Sequence, residues 1–199
     1  MLLLKVSNAV LNNLFRKCRR PWLLKNYLEK KYFKKWRNKL KLKNLYEQLF
    51  KHDYFIQAKS VAIVLSMDHE VNTDPIIEEL LKLNKEVYVP TTNYLTKEMK
   101  FQRLYDMNSI SFDSKGIRFI TKETEISDDI DLIIVPGVVF RHDGYRIGYG
   151  GGYFDKYLAD YTGSTLSLVY PIQIHGFDIE SHDVPVQELL LPREVYGEK

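Results

Sequence analysis

Cysteine occurs once, at Cys18. A single thiol forms no internal disulfide and cannot supply a four-thiolate zinc site, which favours a reducing compartment. Long apolar runs are also missing. No stretch approaches the roughly 20 residues that a membrane helix needs. The opening MLLL is interrupted by Lys5 and Asn8, which makes a poor secretory core. These absences point to a cytoplasmic chain without membrane attachment. Acidic residues are missing from the first 28 positions, and residues 1–43 set 14 Lys/Arg against Glu29 alone. The remainder carries 15 basic and 25 acidic residues, so the net charge of +3 divides into +13 and −10. Such a basic segment suits nucleic acid, an anionic surface or the phosphates of a nucleotide, and it equally fits a solvated helix face. A lack of acids also fits an organelle transit peptide, although serine is scarce there.

What is present is ordinary for a soluble globular domain: 199 residues, 45% hydrophobic and 28% charged. That length suits one domain, with residues 1–57 as a basic helical segment and 58–199 as the body. In the helical segment, Val10, Leu11, Leu14 and Phe15 form one apolar stripe. Leu42, Leu45, Leu49 and Phe50 form another, and Pro21 breaks the two apart. Residues 60–66 (SVAIVLS) read as a buried strand. Asp74 is an expected N-cap with Pro75 behind it, opening a helix that carries Ile76, Ile77, Leu80 and Leu81. Asn84 stops it, and residues 86–90 (EVYVP) form a second strand. Strand, helix, strand over about 30 residues is a right-handed parallel crossover. Residues 99–104, 116–120, 131–136 (DLIIVP) and 165–170 read as further strands, with a helix near 152–161 and one short strand within 184–191. The alternation gives an α/β fold: a three-layer, Rossmann-like arrangement with a mostly parallel, mixed sheet and helices on both faces.

Glycine is sparse, yet four of the ten glycines fall at Gly148, Gly150, Gly151 and Gly152. Each glycine costs extra backbone entropy on folding, so a cluster suits a backbone that approaches a ligand closely. The run follows the DLIIVP strand, and in open α/β sheets ligands sit beyond the carboxyl ends of strands. Loop N–H groups can converge on an anion there. Arg146 adds a planar fork for phosphate oxygens, and Asp155 places a carboxylate where a Mg²⁺-phosphate complex would need one. The run is neither a P-loop, since no Gly-Lys-Ser/Thr follows, nor a dinucleotide fingerprint, since the sixth position from Gly148 is Tyr153. A turn with a purely geometric role is the competing reading. The five histidines show no metal-ligand spacing.

Three stretches resemble one family. Residues 135–140 (VPGVVF) with 144–155 (GYRIGYGGGYFD) are similar to the P-G-x-x-F-x-x-x-G-x-R-x-G-x-G-x-G-Y-Y-D signature of 5-formyltetrahydrofolate cyclo-ligases. Residues 65–73 (LSMDHEVNT) resemble that family's first strand and the acid after it, and residues 182–185 (HDVP) its late H-D-x-P motif. The resemblance implies that ATP and 5-formyltetrahydrofolate yield 5,10-methenyltetrahydrofolate, ADP and phosphate through a phosphorylated formyl group. It implies that Arg146, Ile147, Gly148, Tyr149, Gly150, Gly151, Gly152, Tyr153 and Phe154 wrap the ATP phosphates, and that Asp155 and Asp183 hold Mg²⁺. It implies that Leu65, Glu70 and Tyr153 contact the folate, in a monomer or weak dimer needing neither nucleic acid nor membrane.

Two residues depart from the signature: Phe154 replaces a tyrosine, and Arg141 replaces the acid after Phe140. The family's basic N-terminal element has two candidates here, residues 34–37 (KKWR) and 13–17 (NLFRK). A nucleic-acid-binding protein using the basic segment is the alternative, and a steep fall of affinity with salt would mark it.

Overall fold

Val61, Ala62 and Ile63 are 0–1% exposed, because strand β1 (Ser60–Ile63) lies between two parallel neighbours. A strand covered on both faces reads as a continuous apolar run, as this one does. In this computed structural model the described residues are 39–67, 70–93, 95–113 and 116–193. The stripe at residues 10–15, Pro21 and both candidate basic elements lie outside them.

Two helices come first, α1 (Lys39–Phe50) and α2 (Asp53–Gln57). Then follow β1, α3 (Asp74–Lys82), β2 (Glu86–Asn93) and β3 (Glu98–Leu104). A small hairpin of β4 (Ile110–Phe112) and β5 (Arg118–Ile120) precedes β6 (Ile126–Ser127) and β7 (Leu132–Ile134). Next come a second hairpin of β8 (Val139–Phe140) and β9 (Arg146–Ile147), then α4 (Tyr153–Leu158), β10 (Ser164–Leu168) and β11 (Glu188–Leu190). The main sheet has seven strands in the order β11-β10-β7-β1-β2-β3-β6. β11 through β2 run parallel, and β3 and β6 join antiparallel. The fold is therefore α/β with a mixed, largely parallel sheet and, among the described residues, few helices.

Alternation along the strands divides the core. Val61, Ile63, Val87, Val89, Leu132 and Ile134 pack with Ile76, Ile77 and Leu80 of α3 and with Leu49 and Phe55 of α1 and α2. Ala62, Tyr88, Ile133 and Val135 face the other way, onto Leu158 of α4. Among the described residues, that second face is covered by one six-residue helix and by loops. Among the described residues no helix is long and apolar enough to cross a membrane.

Several boundaries differ from expectation. The first strand ends at Ile63, and residues 64–67 leave the sheet. The N-cap of α3 is Thr73 rather than Asp74, which is the first helical residue. The Thr73 hydroxyl caps nothing in its own helix. It donates to Val64 O at 2.8 Å and accepts from Ser66 N at 3.0 Å, while Thr73 N donates to the Ser66 hydroxyl at 3.0 Å. These bonds close the turn between β1 and α3. The helix expected near 152–161 is only six residues long.

Candidate functional site

A cavity of about 540 Å³ opens beyond the carboxyl ends of β1 and β7. Val64, Leu65 and Glu70 come from the turn after β1, Pro136 and Gly137 from the end of β7. Residues 146–155, Glu180, His182 and Asp183 complete much of the lining. The sequence-predicted residues therefore meet in one place, from segments far apart in the chain.

The β8–β9 hairpin carries the glycine run to this position. At its turn, Arg141 forms a two-pronged pair with Asp143 at 3.0 and 2.7 Å and donates to Phe177 O at 3.0 Å. The departure at Arg141 is thus absorbed locally, away from the cavity. Gly144 has φ +88°, and a Cβ there would lie 2.1 Å from Val186 O. No other residue fits a left-handed position so close to a carbonyl. Val186 N in turn donates to Gly144 O at 3.0 Å, which draws the tail against the hairpin.

That docking creates a buried charge cluster. The Arg146 side chain is only 3% exposed. Its Nη1 donates to Val184 O at 2.6 Å and its Nη2 lies 3.3 Å from Asp155 Oδ1. The same Asp155 oxygen accepts from Val184 N at 3.2 Å. Asp183 Oδ2 accepts from Glu180 N at 2.7 Å, and its side chain is 7% exposed. Burial pulls the guanidinium below its ordinary value, and the Asp155 and Asp183 carboxylates oppose that shift. An arginine stays charged regardless. Two carboxylates thus share one enclosed cation.

The loop beyond is built differently. Gly150, Gly151 and Gly152 are exposed. Among the described residues no protein acceptor takes the N–H of Gly148, Gly150, Gly151 or Gly152. Gly152, at φ +68°, is the N-cap of α4 and has no side chain to cap with. Gly148 is another matter: its backbone is ordinary, and an added Cβ would meet nothing within 4 Å. The protein's own packing does not require glycine there, whereas close approach of a ligand would.

Glu70 faces the loop. Its Oε1 accepts from the Tyr149 hydroxyl at 3.0 Å and its Oε2 from Met67 N at 2.8 Å. Tyr153 and Phe154 are half-buried, packing on the second core cluster while lining the cavity. Ile147 and Leu65 contribute apolar wall. Arg118, which sequence reasoning missed, also lines the cavity and pairs with Asp74 at 2.6 Å. A lone arginine in a short strand carries no sequence signal. A broader groove of about 840 Å³ is rimmed by Glu98, Asp128, Asp129, Asp131 and Asp160 against Lys100 and Lys156. Its acidic excess suits a polyanion poorly.

The 540 Å³ cavity offers glycine N–H groups without a described protein acceptor, the carboxylates of Glu70, Asp155 and Asp183, and apolar and aromatic wall. A model of the 5-formyltetrahydrofolate cyclo-ligase family matches residues 16–192. The mouse 5-formyltetrahydrofolate cyclo-ligase is 29% identical over 161 residues, which cover 73% of this chain and 79% of that one. The Escherichia coli (strain K12) enzyme of the same name is 26% identical over 149 residues, covering 71% and 82%. The solution structure of Aquifex aeolicus 5,10-methenyltetrahydrofolate synthetase superposes with a TM-score of 0.71 at 25% identity, covering 90% of this chain and 96% of that one. A Mycoplasma pneumoniae 5,10-methenyltetrahydrofolate synthetase shares the fold, with a TM-score of 0.64 and 20% identity over 88% and 97%.

Proposed function

The chain belongs to the 5-formyltetrahydrofolate cyclo-ligase family, and from that premise we propose how its cavity performs the reaction. The activity is the ATP-dependent conversion of 5-formyltetrahydrofolate to 5,10-methenyltetrahydrofolate. An N-formyl carbon is a poor electrophile, because the nitrogen lone pair delocalises into the carbonyl. Transfer of the γ-phosphoryl group to the formyl oxygen removes that protection. N10 then attacks the formyl carbon, the ring closes, and phosphate departs with the former formyl oxygen. The protein's task is to align two ligands and to balance phosphate charge.

The observation that carries this reading is that Gly148, Gly150, Gly151 and Gly152, whose N–H groups no described protein acceptor takes, line one cavity with Glu70. The loop N–H groups receive the β- and γ-phosphate oxygens, with Ile147, Tyr149, Tyr153 and Phe154 walling the nucleotide. Glu70 keeps spare acceptor capacity after its two bonds, since a carboxylate offers about four lone-pair sites. It accepts from the N–H edge of the pterin, and Leu65 and Tyr153 pack on the ring. Arg146 acts from behind this layer: already held by Asp155 and Val184, it fixes the loop and the tail and presents positive charge toward the phosphates.

Mg²⁺ fits the donor set. Asp155 and Asp183 both line the cavity beside the glycine loop, and hard oxygen ligands suit this ion. Among the described residues no three or more His, Cys, Asp or Glu side chains group as ligands. A two-carboxylate site completed by phosphate oxygens and water is the usual arrangement for Mg²⁺. Asp155 and Asp183 would hold the ion, which would neutralise phosphate charge. Residues 1–199 form one such domain in this reading.

The test is direct. Purified protein, ATP, Mg²⁺ and 5-formyltetrahydrofolate should give the near-ultraviolet absorbance of the methenyl product, with one ATP consumed per turnover. Product formation without ATP would remove the phosphorylation scheme.

A further inference from the structure

Arg118 enters the cavity from β5 and has no part in the scheme above. The β4–β5 hairpin and α3 belong to one face of the sheet: Ile110 and Ile120 join the core of α3, and Arg118 binds Asp74 in its first turn. The glycine loop and α4 belong to the other face. Arg118 thus forms part of the wall opposite the phosphate loop. Its side chain is 14% exposed, and Nη1 donates to Asp74 Oδ1 at 2.6 Å. Among the described residues no contact takes Nε or Nη2. A guanidinium has five donors in a flat fork, so one bond leaves an edge for a second planar acceptor.

The surroundings narrow what that acceptor is. Ile117, Met99 and Pro90 line the same cavity as apolar wall. Phe112 stands directly opposite Arg118 in the hairpin register and is 67% exposed. Directly opposed residues share a face, so an aromatic ring and a cation sit side by side. The other cation of the described lining, Arg146, is closed between Asp155 and Val184 O. Beyond the loop N–H groups that serve the phosphates, the remaining charged lining, Glu70, Asp155, Glu180 and Asp183, is acidic.

The substrate supplies the matching chemistry. The formyl group must reach the phosphate loop, so the rest of the folate extends away from it. That remainder is an aromatic p-aminobenzoyl ring ending in glutamate carboxylates. We propose that Arg118, oriented by Asp74, is a specificity residue that binds a glutamyl carboxylate of the folate. This rests on the cyclo-ligase reading of the same cavity. A nucleotide phosphate is the other anion that could reach the fork, and the test separates the two.

The experiment compares 5-formyltetrahydrofolate with 5-formyltetrahydropteroate, which lacks the glutamate, using full-length protein. Wild type should show a KM at least about tenfold lower for the glutamyl compound, as a charge-assisted contact predicts. Arg118→Gln should erase most of that difference by raising KM for the glutamyl compound alone. It should leave kcat, the pteroate KM and the ATP KM within about twofold. Asp74→Asn, which loosens the arginine without removing it, should reduce the preference less than Arg118→Gln does. Equal wild-type KM values for the two compounds would overturn the proposal without any variant. So would a rise in ATP KM, or an equal loss on both compounds, in Arg118→Gln. Turnover of neither compound by wild type would instead overturn the cyclo-ligase reading, and this proposal with it.

Discussion

Two residues of the glycine motif separate ligand binding from protein architecture. Arg146 is enclosed, and its truncation leaves Asp155 and Asp183 without the cation that faces both. Breaking a buried pair from one side typically costs about 3–5 kcal/mol. Gly148 is in open space with an ordinary backbone. Gly→Ala at such a site stabilises a fold by about 0.4–1 kcal/mol through the unfolded chain. Arg146→Ala should therefore lower the melting temperature and activity together. Gly148→Ala should hold or raise the melting temperature while raising KM for ATP, because a methyl group occupies the path of a phosphate to the loop N–H groups. Thermal denaturation beside ATP titration distinguishes these outcomes. An unchanged ATP KM in Gly148→Ala would take the nucleotide off that face of the loop. The sequence alone expected Arg146 to reach phosphate openly. It could not reveal that Val184 and Asp155 would close around it, because that depends on the Gly144–Val186 contact between segments 42 positions apart.

At the scale of elements, the 3₁₀ turn Pro171–Gln173 and the residues after it brace the β8–β9 hairpin. His175 N donates to Phe140 O at 2.9 Å, and His175 Nε2 bonds Ile172 O at 2.8 Å. Burial holds the imidazole below its ordinary value of 6.5, partly opposed by that carbonyl. The unfolded chain therefore binds a proton before the folded one does. The contribution of neutral His175 is complete above 6.5 and is lost as pH falls toward the depressed folded value. His175→Gln should flatten the fall of stability below pH 6.5 measured by denaturant titration; a parallel slope would show that other groups dominate. Elements of this kind also mark how far the sequence could be read. β1, β2 and β7 were legible because double-sided burial demands short apolar runs. The two-residue strands β8 and β9 were not, since their pairing depends on the turn between them. The cap of α3 was misplaced because Asp74 has the usual capping chemistry, while Thr73 spends its hydroxyl on the β1 turn. The motifs carrying Glu70, the glycine run and Asp183 were legible, and all of them line the cavity. Arg118 was not, for its relation to the cavity exists only once β5 folds over α3.

At the scale of the whole molecule, charge is unevenly distributed. Residues 44–199 carry a net −10, while residues 1–43 carry +13. The described cavity presents Arg118 and Arg146, each already paired with a carboxylate at 2.6 and 3.3 Å. A nucleoside triphosphate bringing several negative charges would meet an opposing field from the body alone. The basic segment is the remaining source of compensation, and most of it lies outside the described residues. Long-range attraction of this kind weakens as ionic strength passes about 0.1 M, where the screening length is near 10 Å. KM for ATP should therefore climb with salt, and KM for the folate should change less, because hydrogen bonds and apolar contacts carry more of its affinity. Two neutralised forms locate the charge: Lys34→Gln with Lys35→Gln and Arg37→Gln, or Arg16→Gln with Lys17→Gln. Whichever group serves the nucleotide should raise ATP KM at low salt and flatten the salt response when removed. If both forms keep the wild-type slope, residues 16–17 and 34–37 do not supply the balancing charge. If wild-type ATP KM does not respond to salt, loop N–H groups and Mg²⁺ suffice.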